Sequence, residues 1–321
     1  MGNVFPAMYS MLSSDALLDF VASHYDVGTV TRCKILTRGL NDTYRVSTDE
    51  GVYILRVYRT PWRTKADVLY ELDALEHLHR QGVSVSVPVK GIDGEVAREI
   101  NAPEGTRYIV LFTYAGGTVP ILDKKISYEY GKIVAQIHHL SDSFSSSHQR
   151  ARLDLDHLLD EPLAAIAPAM TENGGDVGYI KFWVDKIKEH LPVDRLNYGF
   201  CHGDFHDWNA HWDGRLTIFD FDCCGTGFRA YDLAVFLWNL KINYQGKEAD
   251  NWQAFLTGYT VTRPLAQIEL DAIPLFVAAR RIWLAGIYVS NEDVWGTAII
   301  NERFFRTFVD QLKDDEREQR Y

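Results

Sequence analysis

Apolar and polar residues follow two different rhythms along the chain, and the change falls near residue 115. Before it, apolar residues at helical spacing with Ser and Asp at the start predict a helix over residues 13–25. Runs rich in β-branched and aromatic residues predict strands over 28–36, 43–48, 52–59, 95–100 and 107–114. The turn Asp49-Glu50-Gly51 joins two of these strands as a hairpin. A second helix is predicted over residues 65–80, ending near Gly82.

Beyond Gly117 the helical period dominates. It predicts helices over residues 127–140, 179–191, 229–242, 248–260, 265–290 and 296–313. Only the stretch 198–221 interrupts this pattern with strand signals, and no internal repeat is visible. The sequence therefore predicts an α+β protein, in which an antiparallel sheet over residues 1–115 precedes a mostly helical part over 116–321.

Composition narrows the class of protein. The chain has 321 residues with 46% hydrophobic content, enough for a core and long enough for two domains. Its net charge of -11 disfavours nonspecific binding to nucleic acid. Four cysteines without a CxxC pair suggest neither a zinc cluster nor a disulfide framework. The N-terminus lacks signal-peptide features and no long unbroken apolar run follows, so we expect a cytoplasmic protein without a membrane partner, its oligomeric state open.

The segment 201–222, CHGDFHDWNAHWDGRLTIFDFD, concentrates three His, five Asp and one Asn around the apolar run 216–219. If residues 198–202 pair beside that run, Asp204, Asn209 and Asp220 converge from a loop and a strand end. Oxygen ligands of this kind suit Mg²⁺, which is usually held by one or two carboxylates together with substrate phosphates.

The order His-Gly-Asp-x-His-x-x-Asn, ten further residues, then Asp-Phe-Asp resembles the aminoglycoside phosphotransferase and choline kinase family. The resemblance extends over roughly residues 30 to 240, through the segments RGLNDTYRV, YILRVYR, ELDALEHL, LFTYAGG and AYDLA. It implies a bilobal protein-kinase-like fold. A small antiparallel-sheet lobe over residues 1–115 would bind nucleotide, and a larger helical lobe over 116–321 would carry catalysis and acceptor binding.

The same resemblance implies an ATP-dependent phosphotransferase, with GTP as an alternative donor, that acts on a hydroxyl group of a small molecule. Asp204 would accept the proton of that hydroxyl, and Asn209 and Asp220 would hold Mg²⁺. His202 is implied to be a structural brace. Asp232 matches a position that braces the catalytic loop, although an Asp favoured at a helix start explains it equally well.

Arg56 lies on the same strand face as Val52 and Ile54, where an unpaired charge would be costly. The resemblance places it where protein kinases commonly have a phosphate-binding Lys, with Glu71 as its ion-pair partner. A purely structural pair without nucleotide is the alternative. Arginine also binds phosphate well, through a fork of donors.

Four further residues are implied to contact the nucleotide. Gly39 and Asn41 lie in a loop that would cover the phosphates, and Phe112 and Tyr114 belong to a connector that would meet the adenine. Taken without the resemblance, both segments are ordinary turns.

The acceptor is the least determined part of the prediction. Candidate contacts are Asp207 and Trp208, the helices around Trp252, Arg280, Arg281, Trp283 and Trp295, and Asp222, which a turn would equally explain. A bacterial stress-response type of protein Ser/Thr kinase and a non-catalytic nucleotide-binding module remain alternatives. A zinc hydrolase is disfavoured, because His211 is the last histidine in the chain.

Overall fold

The computed structural model describes residues 5–319 and divides them into two compact units. The N-terminal unit combines the chain up to Gly116 with Ser145–Arg150 and Thr217–Phe219, and the helical unit contains the rest. The strands are β1 Val30–Thr37, β2 Asn41–Thr48, β3 Val52–Tyr58, β4 Arg98–Ala102, β5 Gly105–Thr113, β6 Tyr198–Cys201, β7 Ala210–Trp212, β8 Leu216–Ile218 and β9 Gly225–Phe228. The helices are α1 Ser14–His24, α2 Lys65–Arg80, α3 Lys124–Leu140, α4 Glu161–Glu172, α5 Gly178–His190, α6 Arg229–Asn243, α7 Glu248–Thr260, α8 Gln267–Ser290, α9 Glu292–Trp295 and α10 Glu302–Gln319.

The N-terminal unit is built on a five-stranded antiparallel sheet with the order β1-β2-β3-β5-β4. The predicted β2–β3 hairpin is confirmed, and Thr48 N donates to Gly51 O across its turn at 2.8 Å. The strand predicted over 95–100 instead spans Arg98–Ala102, because the ladder continues until Ala102 faces Gly105. Side-chain caps start both helices here, at Ser13 for α1 and in a Thr64–Asp67 capping box for α2.

Alternate strand positions and one face of α1 supply the core of this unit. Its members are Leu17, Val21, Tyr25, Val27, Cys33, Tyr44, Val46, Leu55, Val57, Ile109 and Leu111, each less than a tenth exposed. Within β2, β3 and β5 these core residues are two positions apart, because successive side chains of a strand point to opposite faces.

The helical unit packs α3 against α7 and α6 against α8. Gly131 of α3 and Gly258 of α7 allow the first of these contacts, since a Cβ on Gly131 would lie 1.9 Å from Phe255 O. The 24-residue helix α8 has the length and hydropathy to cross a membrane, but 78% of its apolar window is buried inside the protein. It is the central helix of this unit's core.

Strand pairing around the polar segment differs from the prediction. The pairing of residues 198–202 beside the run 216–219, on which the predicted convergence was conditional, does not form: β6 pairs with β9, and β7 pairs with β8. The Asp213-Gly214 turn closes the β7–β8 hairpin locally. β9 escaped prediction because its sequence, GTGF, has no apolar alternation; its glycines give Leu153 room, since a Cβ on Gly227 would lie 2.6 Å from the Leu153 Cβ.

Two helices also depart from the prediction. Helix α4 was missed because Pro162 and Pro168 mask its period, although proline is tolerated in a first helical turn. The last helix begins at Glu302 and not at residue 296, because Gly296 has a φ of 81° and a short 3₁₀ turn follows it.

Candidate active site

The loop between β6 and β7 carries the candidate catalytic residues. Gly203 has a φ of 80°, and a Cβ there would lie 2.3 Å from Cys223 O, so both conformation and space require glycine. The carboxylate of Asp232, in the first turn of α6, accepts hydrogen bonds from His202 N at 2.8 Å and Gly203 N at 2.7 Å. The loop's backbone is thereby fixed just before Asp204.

The Asp204 carboxylate has three side-chain partners. Its Oδ2 accepts from Asn209 Nδ2 at 2.9 Å and lies 3.2 Å from His206 Nε2, and its Oδ1 accepts from the guanidinium of Arg280. Burial alone would raise the pKa of Asp204, but the neighbouring His206 and Arg280 hold it well below its ordinary value. The side chain keeps 20% of its surface exposed, so a ligand can still reach this ionised carboxylate.

Asn209 and Asp220 offer oxygens that suit a divalent cation. Asn209 Nδ2 donates to both the backbone and the side chain of Asp204, which leaves its Oδ1 without a hydrogen bond in the described part of the chain. Asp220 lies two residues beyond the end of β8 and has a left-handed conformation with a φ of 63°, uncommon for a residue other than glycine. Its neighbour Phe221 packs on the His202 ring at 4.4 Å, which ties this turn to the catalytic loop. Amide and carboxylate oxygens of this kind fit Mg²⁺.

A buried network continues behind the loop. The fully buried His138 of α3 meets Asp232 at 2.9 Å through Nε2 and the Tyr259 hydroxyl at 3.0 Å through Nδ1. Burial lowers the pKa of His138, although Asp232 opposes the shift, so the ring is held neutral, with Nε2 as donor and Nδ1 as acceptor. The sequence offered one weak signal for His138, its place four residues after Val134 on an apolar helix face.

The arrangement argues against a zinc centre. His202 Nδ1 accepts from Asp204 N at 3.1 Å, and the ring packs at 4.3 Å on Phe205. Among the described residues, one group has three potential ligand atoms mutually close enough for a metal, namely His138, Cys201 and Asp232. Asp232 already accepts hydrogen bonds from His202 N and Gly203 N, and His138 is hydrogen-bonded to both Asp232 and Tyr259.

Three of the predicted acceptor contacts, Asp207, Trp208 and Asp222, have different environments. Asp207 is only 3% exposed, and its Oδ2 accepts from the Tyr244 hydroxyl at 2.5 Å. Asp222 is buried in the turn Phe221–Cys223. Trp208 is 67% exposed and therefore presents its ring to solvent. Ligand contact by these residues stays a prediction, and Trp208 is the most accessible of the three.

The N-terminal unit contains the predicted ion pair. Arg56 on β3 donates to Glu71 Oε1 on α2 at 2.8 Å, while the Tyr58 hydroxyl donates to Glu71 Oε2 at 2.9 Å. The guanidinium also lies 5.3 Å from the centre of the Phe112 ring. Both charged residues are less than a tenth exposed, so the pair is confirmed as a buried one.

The remaining predicted nucleotide contacts lie at strand ends or in the sheet. Gly39 is in the short connection between β1 and β2, and Asn41 is the first residue of β2. Phe112 faces Ile54 within the β3–β5 ladder, and Tyr114 follows the end of β5 with the Arg45 guanidinium 5.5 Å from its ring centre. Their role in nucleotide binding stays a prediction.

A five-stranded antiparallel sheet followed by a mostly helical part is the architecture of the protein-kinase-like fold. The phosphotransferase enzyme family model matches residues 33–265, and the chain belongs to this family. The predicted family, the fold class and the phosphotransferase activity are thus confirmed.

Individual relatives agree with the family. An uncharacterised protein of Deinococcus radiodurans is 39% identical over 307 residues, 94% of this chain and 89% of that protein. A homoserine kinase of Paramagnetospirillum magneticum is 30% identical over 301 residues, 88% of each chain. Among solved structures, the amicoumacin kinase hAmiN in complex with AMP-PNP, Ca²⁺ and Ami has a TM-score of 0.75 at 21% identity and covers 94% of both chains. That relative was crystallised with a nucleotide and a divalent cation.

Proposed function

We propose that this protein transfers the γ-phosphoryl group of ATP to a hydroxyl of a small molecule in the cytoplasm. The observation that carries the proposal is the Asp204 carboxylate, which is ionised, fixed by Asn209 and Arg280, and one-fifth exposed. Small-molecule kinases among the relatives and solved structures support the acceptor class.

Asp204 would orient the acceptor hydroxyl and receive its proton. Phosphoryl transfer proceeds through a loose transition state in most descriptions, so catalysis depends mainly on positioning and on stabilising charge. A carboxylate with a strongly lowered pKa is a weak base but a good hydrogen-bond acceptor. Asp204 therefore acts chiefly by aligning the oxygen that attacks phosphorus, and it takes the proton late.

Asn209 Oδ1 and Asp220 would hold Mg²⁺. When bound, the cation would neutralise the negative charge of the phosphates. The Asp204–Asn209 hydrogen bond keeps the amide oxygen of Asn209 available, since Nδ2 is already used as the donor.

Arg56 would bind nucleotide phosphates in the N-terminal unit. Glu71 holds one guanidinium nitrogen, and Tyr58 in turn holds Glu71, so the arginine is oriented before any ligand arrives. Gly39, Asn41, Phe112 and Tyr114 complete the proposed nucleotide contacts.

For the acceptor, we propose a cavity of about 410 Å³ in the helical unit. Trp238 lines this cavity and also stacks on Arg280, the arginine that holds Asp204. The cavity wall is largely aromatic and aliphatic; within the described residues its charged members are Arg281 and Arg303, with no carboxylate. Such a lining favours a neutral or carboxylate-bearing acceptor over a polyamine.

An ATP-consumption screen tests this function. The screen compares pools of hydroxy acids and hydroxy amino acids, sugars, nucleosides, amino alcohols, aminoglycosides and one generic protein substrate. Mg·ATP and then Mg·GTP serve as the phosphoryl donor. We expect a hit among the uncharged or carboxylate-bearing alcohols that Asp204→Asn abolishes. The matched control Asp213→Asn, in the exposed β7–β8 turn of the same segment, should retain it.

Phosphorylation of the protein pool alone would identify a protein kinase. Nucleotide binding without turnover in every pool would support the non-catalytic module and overturn the proposal.

A further inference from the structure

Arg280, on the central helix α8, contacts the loop between β6 and β7 at Gly203 and Asp204. Its guanidinium donates to Asp204 Oδ1, and its NH1 donates to Gly203 O at 3.3 Å. Asp232 meanwhile holds the amide groups of His202 and Gly203. Asp232 of α6 therefore holds the two amide groups that precede Asp204, while Arg280 of α8 holds the Gly203 carbonyl and the Asp204 carboxylate.

Arg280 is itself held in place by aromatic rings. Its guanidinium carbon lies 4.9 Å from the ring centre of Trp238 on α6 and 4.8 Å from that of Trp283 on α8. Trp283 Nε1 donates to His157 Nε2 at 3.0 Å, which fixes the second ring. A guanidinium close to two indole rings gains cation–π attraction and has few alternative orientations.

Arg280 is more deeply buried than the Asp204 carboxylate that it contacts. Arg280 is 2% exposed, whereas its partner carboxylate retains 20% of its exposure. A buried arginine needs a negative partner, because a desolvated charge left unpaired is costly. Here the partner is the carboxylate proposed to contact the substrate, so the need to compensate Arg280 fixes one oxygen of Asp204 permanently.

The two oxygens of Asp204 consequently have different roles. Oδ1 is committed to Arg280, while Oδ2 receives Asn209, the residue proposed to hold the cation. Rotation of the carboxylate would break both contacts at once. Arg280 thus couples the orientation of Asp204 to that of Asn209.

We propose that Arg280 is a positioning residue that fixes the Asp204 carboxylate for phosphoryl transfer. The inference rests on the function proposed above and adds to it a residue from the helical unit outside the catalytic loop. A misplacement of about 1 Å at a reacting group can reduce the rate about 100-fold. Loss of Arg280 should therefore lower kcat while leaving nucleotide affinity nearly unchanged.

The test compares Arg280→Met and Arg280→Lys with Arg229→Met and Arg229→Lys. Arg229 is also 2% exposed and also paired, to Asp142, within the same unit, but it does not contact Asp204. Each variant is examined for the melting temperature, the Kd of Mg·AMP-PNP, and kcat with the acceptor found in the screen, or with water if none is found. Crystal structures record the Asp204–Asn209 hydrogen bond.

We expect Arg280→Met to lower kcat about 100-fold with a Kd within about two-fold, and to lose the Asp204–Asn209 contact. Arg280→Lys keeps the charge but not the fork, so it should recover about ten-fold of the loss. Both Arg229 variants should keep kcat within about three-fold of the unmutated protein. This should hold even where their melting temperatures fall as far as those of the Arg280 variants.

Equal losses of kcat in the Arg280 and Arg229 variants, or an unchanged Asp204 carboxylate in the Arg280→Met crystal structure, would overturn the inference. If the unmutated protein turns over no substrate, the proposed function fails. The crystal structures then still decide whether Arg280 positions Asp204.

Discussion

Each unit of the protein contains a pair of a buried arginine and a carboxylate. The two pairs, Arg56–Glu71 and Arg280–Asp204, differ in which member is the proposed ligand contact. In the N-terminal unit Arg56 is the proposed ligand contact, and Glu71 supports it. In the helical unit Asp204 is the proposed substrate contact, and Arg280 supports it. A buried pair does not by itself indicate a functional site, since its contribution to stability can be small. Which member keeps access to a ligand decides what each pair can do.

The largest expected effect is that of Asp204→Asn. Loss of the negative charge removes the proton acceptor and weakens the hydrogen bond that the substrate hydroxyl donates, so kcat should fall about 1,000-fold. The Kd of Mg·AMP-PNP should remain within about two-fold, and the melting temperature should fall because Arg280 is left buried without a negative partner. Steady-state kinetics, calorimetry and thermal unfolding measure the three quantities. A kcat within ten-fold of the unmutated protein would remove Asp204 from the mechanism.

Arg56→Met should change the KM for ATP, whereas Asp204→Asn changes kcat. Since Arg56 is the proposed phosphate contact, the KM for ATP should rise about 30-fold, within the range expected for one charge-assisted contact. The KM of Arg56→Lys should lie between those of the unmutated protein and Arg56→Met, because lysine binds phosphate as a point charge. Initial rates at varied ATP concentration provide the measurement. If KM is unchanged while the protein unfolds more readily, the Arg56–Glu71 pair is only structural.

His138→Asn tests the hydrogen-bond network of His138, Asp232 and Tyr259 through the pH dependence of stability. The folded protein holds the pKa of His138 below its unfolded value of about 6.5. Below that pH the unfolded chain binds more protons, so the free energy of unfolding should decrease on acidification. His138→Asn should make this decrease smaller between about pH 6.5 and 5. Chemical denaturation at several pH values measures it; identical pH slopes for both proteins would contradict the neutral, buried histidine.

The smallest expected effect is that of Trp283→Phe. This change keeps an aromatic ring near Arg280 but removes the hydrogen bond from Trp283 Nε1 to His157. One buried hydrogen bond contributes about 1 kcal/mol, so stability should fall by about that amount and kcat by two- to five-fold. Trp252→Phe, a change outside the Arg280 stack, serves as the control. A kcat loss equal to that of Arg280→Met would show that the ring contributes more than packing.

The sequence alone determined the features encoded by short stretches of chain. The β2–β3 hairpin follows from strand patterns around Asp49-Glu50-Gly51, and the bounds of α2 follow from its periodic apolar face and its end signals. Arg56 could be paired with Glu71 because a charge on a buried strand face needs a partner, and the family motif supplied it. The Asp204–Asn209 loop was recognised from its motif spacing.

Only the tertiary structure decided which distant residues meet. Helix α8 carries two adjacent arginines, and the sequence could not tell that Arg280 reaches Asp204 while Arg281 pairs with Asp315. The pairing of β6 with the glycine-rich β9, and the contact between His138 and Asp232, were equally invisible. Local patterns report which face of an element is buried, because burial repeats with the period of that element. They carry no information on what lies opposite, since that depends on how elements far apart in the chain pack together.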